Sequence, residues 1–343
     1  MDTETPEVSI IIPCRNERQH IKACLDSVLC QQAPTGGLEV LIADGMSDDG
    51  TREFIREYAE GNESLRLVDN PRQITSTGLN AAIRAARGKI IVRMDAHTEY
   101  ALDYVRQCVA VMKSKQVDNV GGAARTKGDG YLQSAIGAAF HSPFSTGGAG
   151  FHQADYEGEV DTVVYGCWYR QKLLEVGLFD EELVRNQDDE LNFRIRNMGG
   201  RLWQSRSIHS WYRPRGSLKS LFRQYLQYGY WKVRVIQKHR RPASVRQLIP
   251  VIFVLGVLLG WIVGQVHPTL KVTYWATLAT YGITSLAFSI RTLTFAQWRL
   301  LPIMPVVFFV YHLSYGLGFT WGILDFLLLH RSGRSMMSGL SRS

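Results

Sequence analysis

Three polar clusters in this 343-residue chain each follow a short apolar, β-branched run: Pro13-Cys14-Arg15-Asn16-Glu17, Asp44-Gly45 and Asp95-Ala96-His97. Such runs read as buried strands, so the clusters stand where strands end. Asp95 and His97, two residues apart, can present a carboxylate and an imidazole to one divalent cation. The open positions would be left to substrate phosphates, as Mg2+ and Mn2+ prefer. A fourth cluster, Gln187-Asp188-Asp189-Glu190, opens a helical stretch. The helix dipole favours acids there and accounts for Asp189 and Glu190. A carboxylate at a cleft edge also makes a good general base toward a hydroxyl. The loop Asp44–Gly50 has a superficial likeness to a calcium loop. It follows a strand and supplies no glutamate at the twelfth place, so a polar turn with Asp48 or Asp49 capping the next helix fits better.

The elements that must carry these groups alternate. Strands are expected at 8–13, 38–43, 65–68 and 89–94, and helices at 17–29, 51–59 and 76–86. Alternation of this kind implies a largely parallel sheet flanked by helices, with ligands beyond the carboxyl ends of the strands. No GxGxxG follows the first strand and no GxxxxGK[ST] occurs, which disfavours Rossmann dinucleotide binding and P-loop chemistry. The five cysteines fit no zinc spacing, and residues 1–7 are acidic and polar, unlike an export signal. Reduced thiols in a cytosolic domain are expected.

The net charge of +8 conceals two unlike halves. Up to Glu190 there are 19 basic and 30 acidic residues, net −11; after it there are 20 basic residues and one acid, Asp325, net +19. The second half also holds three apolar stretches, expected to span a bilayer at 248–266, 273–290 and 303–325. Lys238-His239-Arg240-Arg241 and Arg246 precede them and place that side in the cytoplasm. Pro302 and Pro305 interrupt the third stretch, so a re-entrant hairpin is the alternative there. Three crossings would also put the tail, with Arg331, Arg334 and Arg342, outside against the charge rule. The segment 217–234 reads as a basic amphipathic helix with Tyr228, Tyr230 and Trp231 at the membrane surface. The basic residues adjoin spans, not a groove-reading surface, so a nucleic-acid partner is disfavoured.

Taken in order, IIPCRNE, DGMSDDGT, NPRQITSTGLNAAIRAARGKIIVRMDAH and QDDELNFRIRNMGG resemble the family 2 glycosyltransferases of GT-A fold, from Val8 to about Trp231. STGG at 145–148, VDTVVYGCWYR and YRPRGSLKSLFRQYLQYGYW are similar to the membrane enzymes of succinoglycan biosynthesis within that family. The resemblance implies an α/β GT-A domain over 1–212, interface helices over 213–245, a transmembrane region over 246–330 and a basic tail over 331–343. It implies that Pro13, Asn16, Glu17, Asp44 and Arg72 bind the nucleotide sugar, together with Asp95. Asp95 and His97 fall on the family's DxD metal positions, with His97 in place of the second aspartate; His209 is a further candidate ligand. Asp188 falls on the catalytic-base position, with Asp189 as its rival. Arg213, Arg215, Lys219, Arg223, Gln224 and Trp231 would meet the acceptor or the membrane surface, and Tyr165-Gly166-Cys167-Trp168 would border the acceptor. Gln224 to Trp231 only approximates the QxxRW motif of processive synthases, which disfavours polymerisation.

The implied activity is inverting transfer from a nucleotide sugar, UDP being the family's commonest nucleotide, to a lipid-linked (polyprenyl-diphosphate) saccharide acceptor in polysaccharide biosynthesis. The implied setting is the inner membrane, with membrane lipids as partners, the catalytic domain in the cytoplasm and a divalent cation as cofactor. A membrane-anchored nucleotidyltransferase and an inactive envelope-assembly scaffold are the competing readings. Nothing in the sequence specifies an oligomeric state.

Overall fold

The computed structural model describes residues 5–333, 335–337 and 339, so Arg334 and Arg342 of the tail lie outside the described residues. The chain divides into two compact units. The first comprises residues up to Arg125 and Gln153–Tyr212; the second comprises Thr126–His152 and the residues from Arg213 onward.

The strands among the described residues are β1 (Val8–Cys14), β2 (Leu38–Asp44), β3 (Leu65–Asp69), β4 (Ile90–Arg93), β5 (Thr98–Tyr100), β6 (Asn119–Gly121), β7 (Ala124–Thr126), β8 (Gly158–Glu159), β9 (Cys167–Tyr169), β10 (Leu202–Gln204) and β11 (Ser210–Tyr212). The helices are α1 (Ile21–Leu29), α2 (Thr51–Glu60), α3 (Thr75–Ala85), α4 (Tyr104–Lys115), α5 (Tyr131–His141), α6 (Pro143–Thr146), α7 (Arg170–Val176), α8 (Gln187–Asn197), α9 (Leu218–His239), α10 (Ile249–Val263), α11 (Pro268–Thr292) and α12 (Met304–Gly322).

One mixed sheet runs β3-β2-β1-β4-β9-β6-β10-β8, and β5-β11-β7 form a second, small one. β1 pairs in parallel with β2 and β4, which makes it a central strand. Helices cover both faces, so successive residues of β1 serve two cores. Ile10 and Ile12 join Val40, Ile42 and the α1 residues Ile21 and Leu25, while Ile11 joins Leu41 and the α3 residues Leu79 and Ile83. The β3-β2-β1-β4 part is the parallel, helix-flanked sheet that the strand–helix alternation predicts; beyond it β9 pairs antiparallel with β4 and β6, and β8 with β10. The first helix is shorter than expected. Residues 17–20 form a turn closed by the Ile21 amide on the Glu17 carbonyl, 2.8 Å. The amides of Glu17 and Arg18 are drawn instead to Thr51 Oγ1 and Asp49 in the loop beyond β2, 2.9 and 3.1 Å. Gly50, at φ 87°, takes the cap position of α2, and Asp49 accepts from the Thr51 amide at 3.0 Å. All five cysteines are free.

In the second unit, Ala135 and Ile136 of α5 share a core with Leu221 of α9 and with Met304, Phe308 and Tyr311 of α12. Pro305 sits in the first turn of α12, where its missing N–H is no loss. The prolines therefore start this helix and do not break it; it runs on through a π-helical turn, Ile323–Leu328, with no hairpin. By length and composition two stretches can cross a bilayer, Val245–Val263 and Met304–Leu328. α11 covers the expected middle span as one continuous helix, but its threonines, serines and tyrosines make it less apolar. The aromatic face of α9 is not presented to a membrane surface: Tyr230 and Trp231, 0% and 2% exposed, are buried within the unit.

Candidate active site

The site forms in the first unit beyond the carboxyl ends of β1, β2 and β4. Arg93, the last residue of β4, organises it, although no sequence motif marks this residue. Only 5% of its side chain is exposed. Its Nε lies 3.1 Å and its Nη2 3.4 Å from the two Asp95 oxygens. Its Nη1 donates to Asp188 Oδ1. One guanidinium fork thus holds the candidate metal ligand and the candidate base together. Burial alone would favour a neutral Arg93; Asp188 and Asp95 more than offset it and hold the group charged. Asp188 keeps 30% of its side chain exposed. Desolvation pushes its carboxyl above the ordinary range, Asp95 and Asp189 push the same way, and Arg93 opposes them. A carboxylate so placed is a better proton acceptor near neutral pH than a free one. Arg93 closes β4 two residues before Asp95, and that spacing is the available signal.

Asp188 and Asp189 lie in the first turn of α8, and Glu190 is turned inward onto Arg194 at 2.7 Å. Glu190 is therefore structural, as the dipole argument expects. Beside Asp95, His97 Nδ1 is 3.3 Å from Glu17 Oε1 and has no hydrogen-bond partner although it is buried. Among the described residues no three His, Cys, Asp or Glu side chains converge as around a bound metal. His209 stands apart from this pair, with Nε2 2.8 Å from the Arg206 carbonyl oxygen.

Asn16, at φ 54°, exchanges two hydrogen bonds with Asp48: Nδ2 donates to Oδ1 at 2.9 Å, and the Asp48 amide donates back at 3.1 Å. This zips the β1 loop to the β2 loop, with Pro13 half-buried at its base. Asp44 is not an open ligand. It is wholly buried and accepts from the Ser47 amide at 3.1 Å, Ser47 Oγ at 2.5 Å and Arg52 at 2.9 Å. Arg15, whose Nε is buried without a partner, packs over Gly45 in the same loop pair. Arg72 is on the surface, paired with Glu181 at 2.7 Å. Cys167 and Trp168, expected to border the acceptor, are core residues of β9, 0% and 1% exposed.

The expected acceptor-side residues lie in the second unit. Arg213 pairs with Asp129 at 2.9 Å, and Arg215 Nε donates to Gln224 Oε1 at 2.9 Å. Lys219 and Arg223 are exposed on α9. Gln224 and Trp231 are buried, and Trp231 Nε1 donates to the Met337 carbonyl at 2.9 Å. Neither of these two can meet a membrane surface.

Residues 9–177 match Glycosyl transferase family 2. The chain is 30% identical over 326 residues to the succinoglycan biosynthesis protein ExoA of Rhizobium meliloti, covering 92% of this chain and 95% of that protein. It is 26% identical over 325 residues to the dolichyl N-acetyl-alpha-D-glucosaminyl phosphate 3-beta-D-2,3-diacetamido-2,3-dideoxy-beta-D-glucuronosyltransferase of Methanococcus voltae, covering 92% and 97%. Among solved structures, the mannosyltransferase PcManGT from Pyrobaculum calidifontis in complex with GDP-Man and Mn2+ is similar at TM-score 0.59 and 20% identity, over 93% of this chain and 88% of that one. At that identity the likeness establishes the fold alone.

Proposed function

The chain belongs to the family 2 glycosyltransferases and is a glycosyltransferase of GT-A fold; from that premise we propose a membrane-anchored, inverting enzyme of polysaccharide or glycan biosynthesis. It transfers a sugar from a nucleotide-sugar donor to a lipid-linked saccharide. The observation that carries this reading is the Arg93 fork, which joins Asp95 and Asp188 at the strand ends. Asp188 takes the proton of an acceptor hydroxyl. The hydroxyl oxygen bonds to the anomeric carbon from the face opposite the nucleotide, the carbon–oxygen bond to the diphosphate breaks, and configuration inverts. Arg93 keeps the base oriented and charged.

The residues around Asp95 fit a divalent cation, Mg2+ or Mn2+. An orphaned, buried imidazole nitrogen lies beside one carboxylate, and another carboxylate is two residues away, a donor set suited to Mn2+. Asp95 and His97 would hold it, with Glu17 adjacent. When bound, it supplies Lewis-acid stabilisation of the departing diphosphate. His209 has no part in that set. The zipped loops of Asn16 and Asp48 shape the nucleotide pocket, with Asp44 bracing them from below. Arg213, Lys219 and Arg223 offer positive charge to an anionic lipid carrier.

Two of the relatives support a glycan product and a lipid carrier by what they are named for, the Rhizobium protein for succinoglycan and the Methanococcus enzyme for a dolichyl-linked substrate. The proposed location is the inner membrane, with the catalytic unit in the cytoplasm. Family membership sets aside nucleotidyl transfer.

The test is full-length protein in detergent, offered a panel of UDP- and GDP-sugars and lipid-linked acceptors. Transfer with inversion is expected, with its loss on Asp188→Asn and on chelation of divalent cations. Undiminished transfer by Asp188→Asn would sink the base assignment, and full activity in chelator would sink the metal. Folded protein inert toward every donor favours the scaffold reading.

A further inference from the structure

α12 is apolar and long enough to span a bilayer, yet its surroundings are those of a different kind of helix. It runs alongside α9 in the same direction for its whole length. Leu221 shares a core with Met304 and Phe308, the rings of Tyr225 and Tyr311 lie 4.3 Å apart, Tyr230 Oη donates to Asp325 Oδ2 at 3.1 Å, and Gln237 Nε2 donates to the Phe326 carbonyl at 3.1 Å. Both partners advance together along the two chains. The seam is tight because it is made by glycine: a methyl on Gly229 would stand 2.0 Å from the Tyr315 carbonyl oxygen, and one on Gly318 2.0 Å from that of Leu226.

A helix locked in this way shares the orientation of its partner. α9 has 22 residues, about 33 Å. Were α12 to cross the bilayer, α9 would be dragged through with it, taking Arg223, Lys232 and Arg234 along. Each basic residue at the bilayer centre costs about 2.5–3.5 kcal/mol on insertion scales. Lying flat removes that cost. α12 then offers exposed Val306, Phe309, Leu324, Leu327 and Leu328 to the acyl boundary, and α9 offers exposed Lys219, Arg223 and Lys238 to lipid phosphates.

α10 and α11 differ. They form an antiparallel hairpin in which Phe253 stacks on Tyr281 at 4.5 Å and Tyr274 covers Gly260. Leu259, Trp261, Ile262, Val272, Trp275 and Ile283 are exposed on it. No charge lies between Lys271 and Arg291. The hydroxyls of Thr273, Thr277 and Thr280 donate to carbonyls four residues back, at 3.0, 2.9 and 2.8 Å, so the less apolar helix still presents satisfied polar groups to lipid. Met337 and Gly339 lie against α9: Gln227 Nε2 donates to the Gly339 carbonyl at 3.1 Å and Trp231 Nε1 to that of Met337, while Arg331 reaches Asp325 at 3.5 Å.

We propose that α12 is not a membrane span: α9 and α12 lie side by side in the cytoplasmic headgroup layer, binding anionic phospholipid, and the C-terminal tail stays on that side. The inference rests on the membrane-anchored reading above. The chain then crosses twice, through α10 and α11, and Arg331 agrees with the positive-inside rule that three crossings would violate.

The test labels single cysteines in full-length protein with an impermeant maleimide on intact cells. Gln265→Cys, Ala296→Cys and Ser332→Cys are made in a Cys30→Ser background, since the other four native thiols are buried. Position 265 should label in intact cells; 296 and 332 should label only after detergent opens them. Labelling of 332 from outside restores a spanning α12 and overturns the proposal. Labelling of 296 from outside overturns it too, because then α10 and α12 are the crossings. If all three are protected until opening, the flat placement stands and the two-crossing anchor falls. A fluorescent protein fused to the C-terminus, which matures only in the cytoplasm, separates the two placements of the tail without any substitution. Fluorescence supports the proposal; its absence, with the chain in the membrane fraction, overturns it.

Discussion

Two aspartate–arginine pairs sit beyond the strand ends of the first unit. At β2 the acid is buried, Asp44 with 0% of its side chain exposed, and its partner Arg52 keeps 12%. At β4 the arginine is buried, Arg93 with 5%, and Asp188 keeps 30%. Asp44 also takes a backbone amide and a serine hydroxyl, so little of its hydrogen-bonding capacity is left for a ligand. Asp188 is held from behind and faces outward. The first arrangement braces a loop. The second uses a buried cation to keep an outward carboxylate aligned, as a base requires.

The largest expected break between the pairs comes from Asp188→Asn. Transfer should fall by about 10²–10⁴-fold, the range for loss of a general base, with little change in thermal midpoint. Initial rates and thermal melts on one preparation check both halves. Arg93→Met comes next. It leaves two carboxylates without their counter-charge, and denaturant titration should show a loss of about 3–5 kcal/mol. Arg93→Lys should recover more stability than rate, because one ammonium cannot fork across both acids.

Asp44→Asn should cost stability, about 1.5–3 kcal/mol for weakened hydrogen bonds to a charged group, while kcat per folded molecule changes little. A large rise in donor KM with unchanged stability would contradict the comparison and restore Asp44 as a ligand. The smallest effect belongs to Glu39, at the other end of β2 from Asp44. Burial alone would raise its carboxyl; the Arg87 amide, the Ser9 hydroxyl and the Arg87 guanidinium outweigh it and hold the group below its ordinary value near 4.5. The native state therefore binds fewer protons than the unfolded one, so this contribution is present above that value and is lost as pH falls through the native one. Urea midpoints over that acid range should flatten in Glu39→Gln. Asp188, shifted the other way, contributes a term that weakens as pH rises.

The parts legible in the sequence are those governed by local pattern. Val8–Cys14 and Leu38–Asp44 announce themselves because strands buried on both faces are apolar nearly throughout, Ser9 and Glu39 being the polar residues within the runs. The strand ends then fix where chemistry can sit. Arg93 is only half legible in the sequence: its spacing to Asp95 is local, whereas only tertiary folding brings Asp188 near. The apolar positions of α1 begin at Ile21, where the helix begins; the polar residues 17–20 form a turn instead, with the Glu17 and Arg18 amides bonded to Thr51 Oγ1 and Asp49 of another loop. Hydropathy does not tell α12 from α10, since both are apolar; what sets α12 apart is its glycine seam with α9 and the greater burial that goes with it.

The Arg93–Asp188 bond joins residues 95 apart in sequence, whereas Arg93 and Asp95 are near neighbours. On a ribosome, β4 emerges long before α8, and for that interval the arginine has one acid of its two. Closing so distant a contact is slow compared with forming the β1–β2 pair. The reactive geometry is thus among the last features of the unit to appear. A chain halted short of α8 carries the donor-side residues without the base that would let it act on an acceptor.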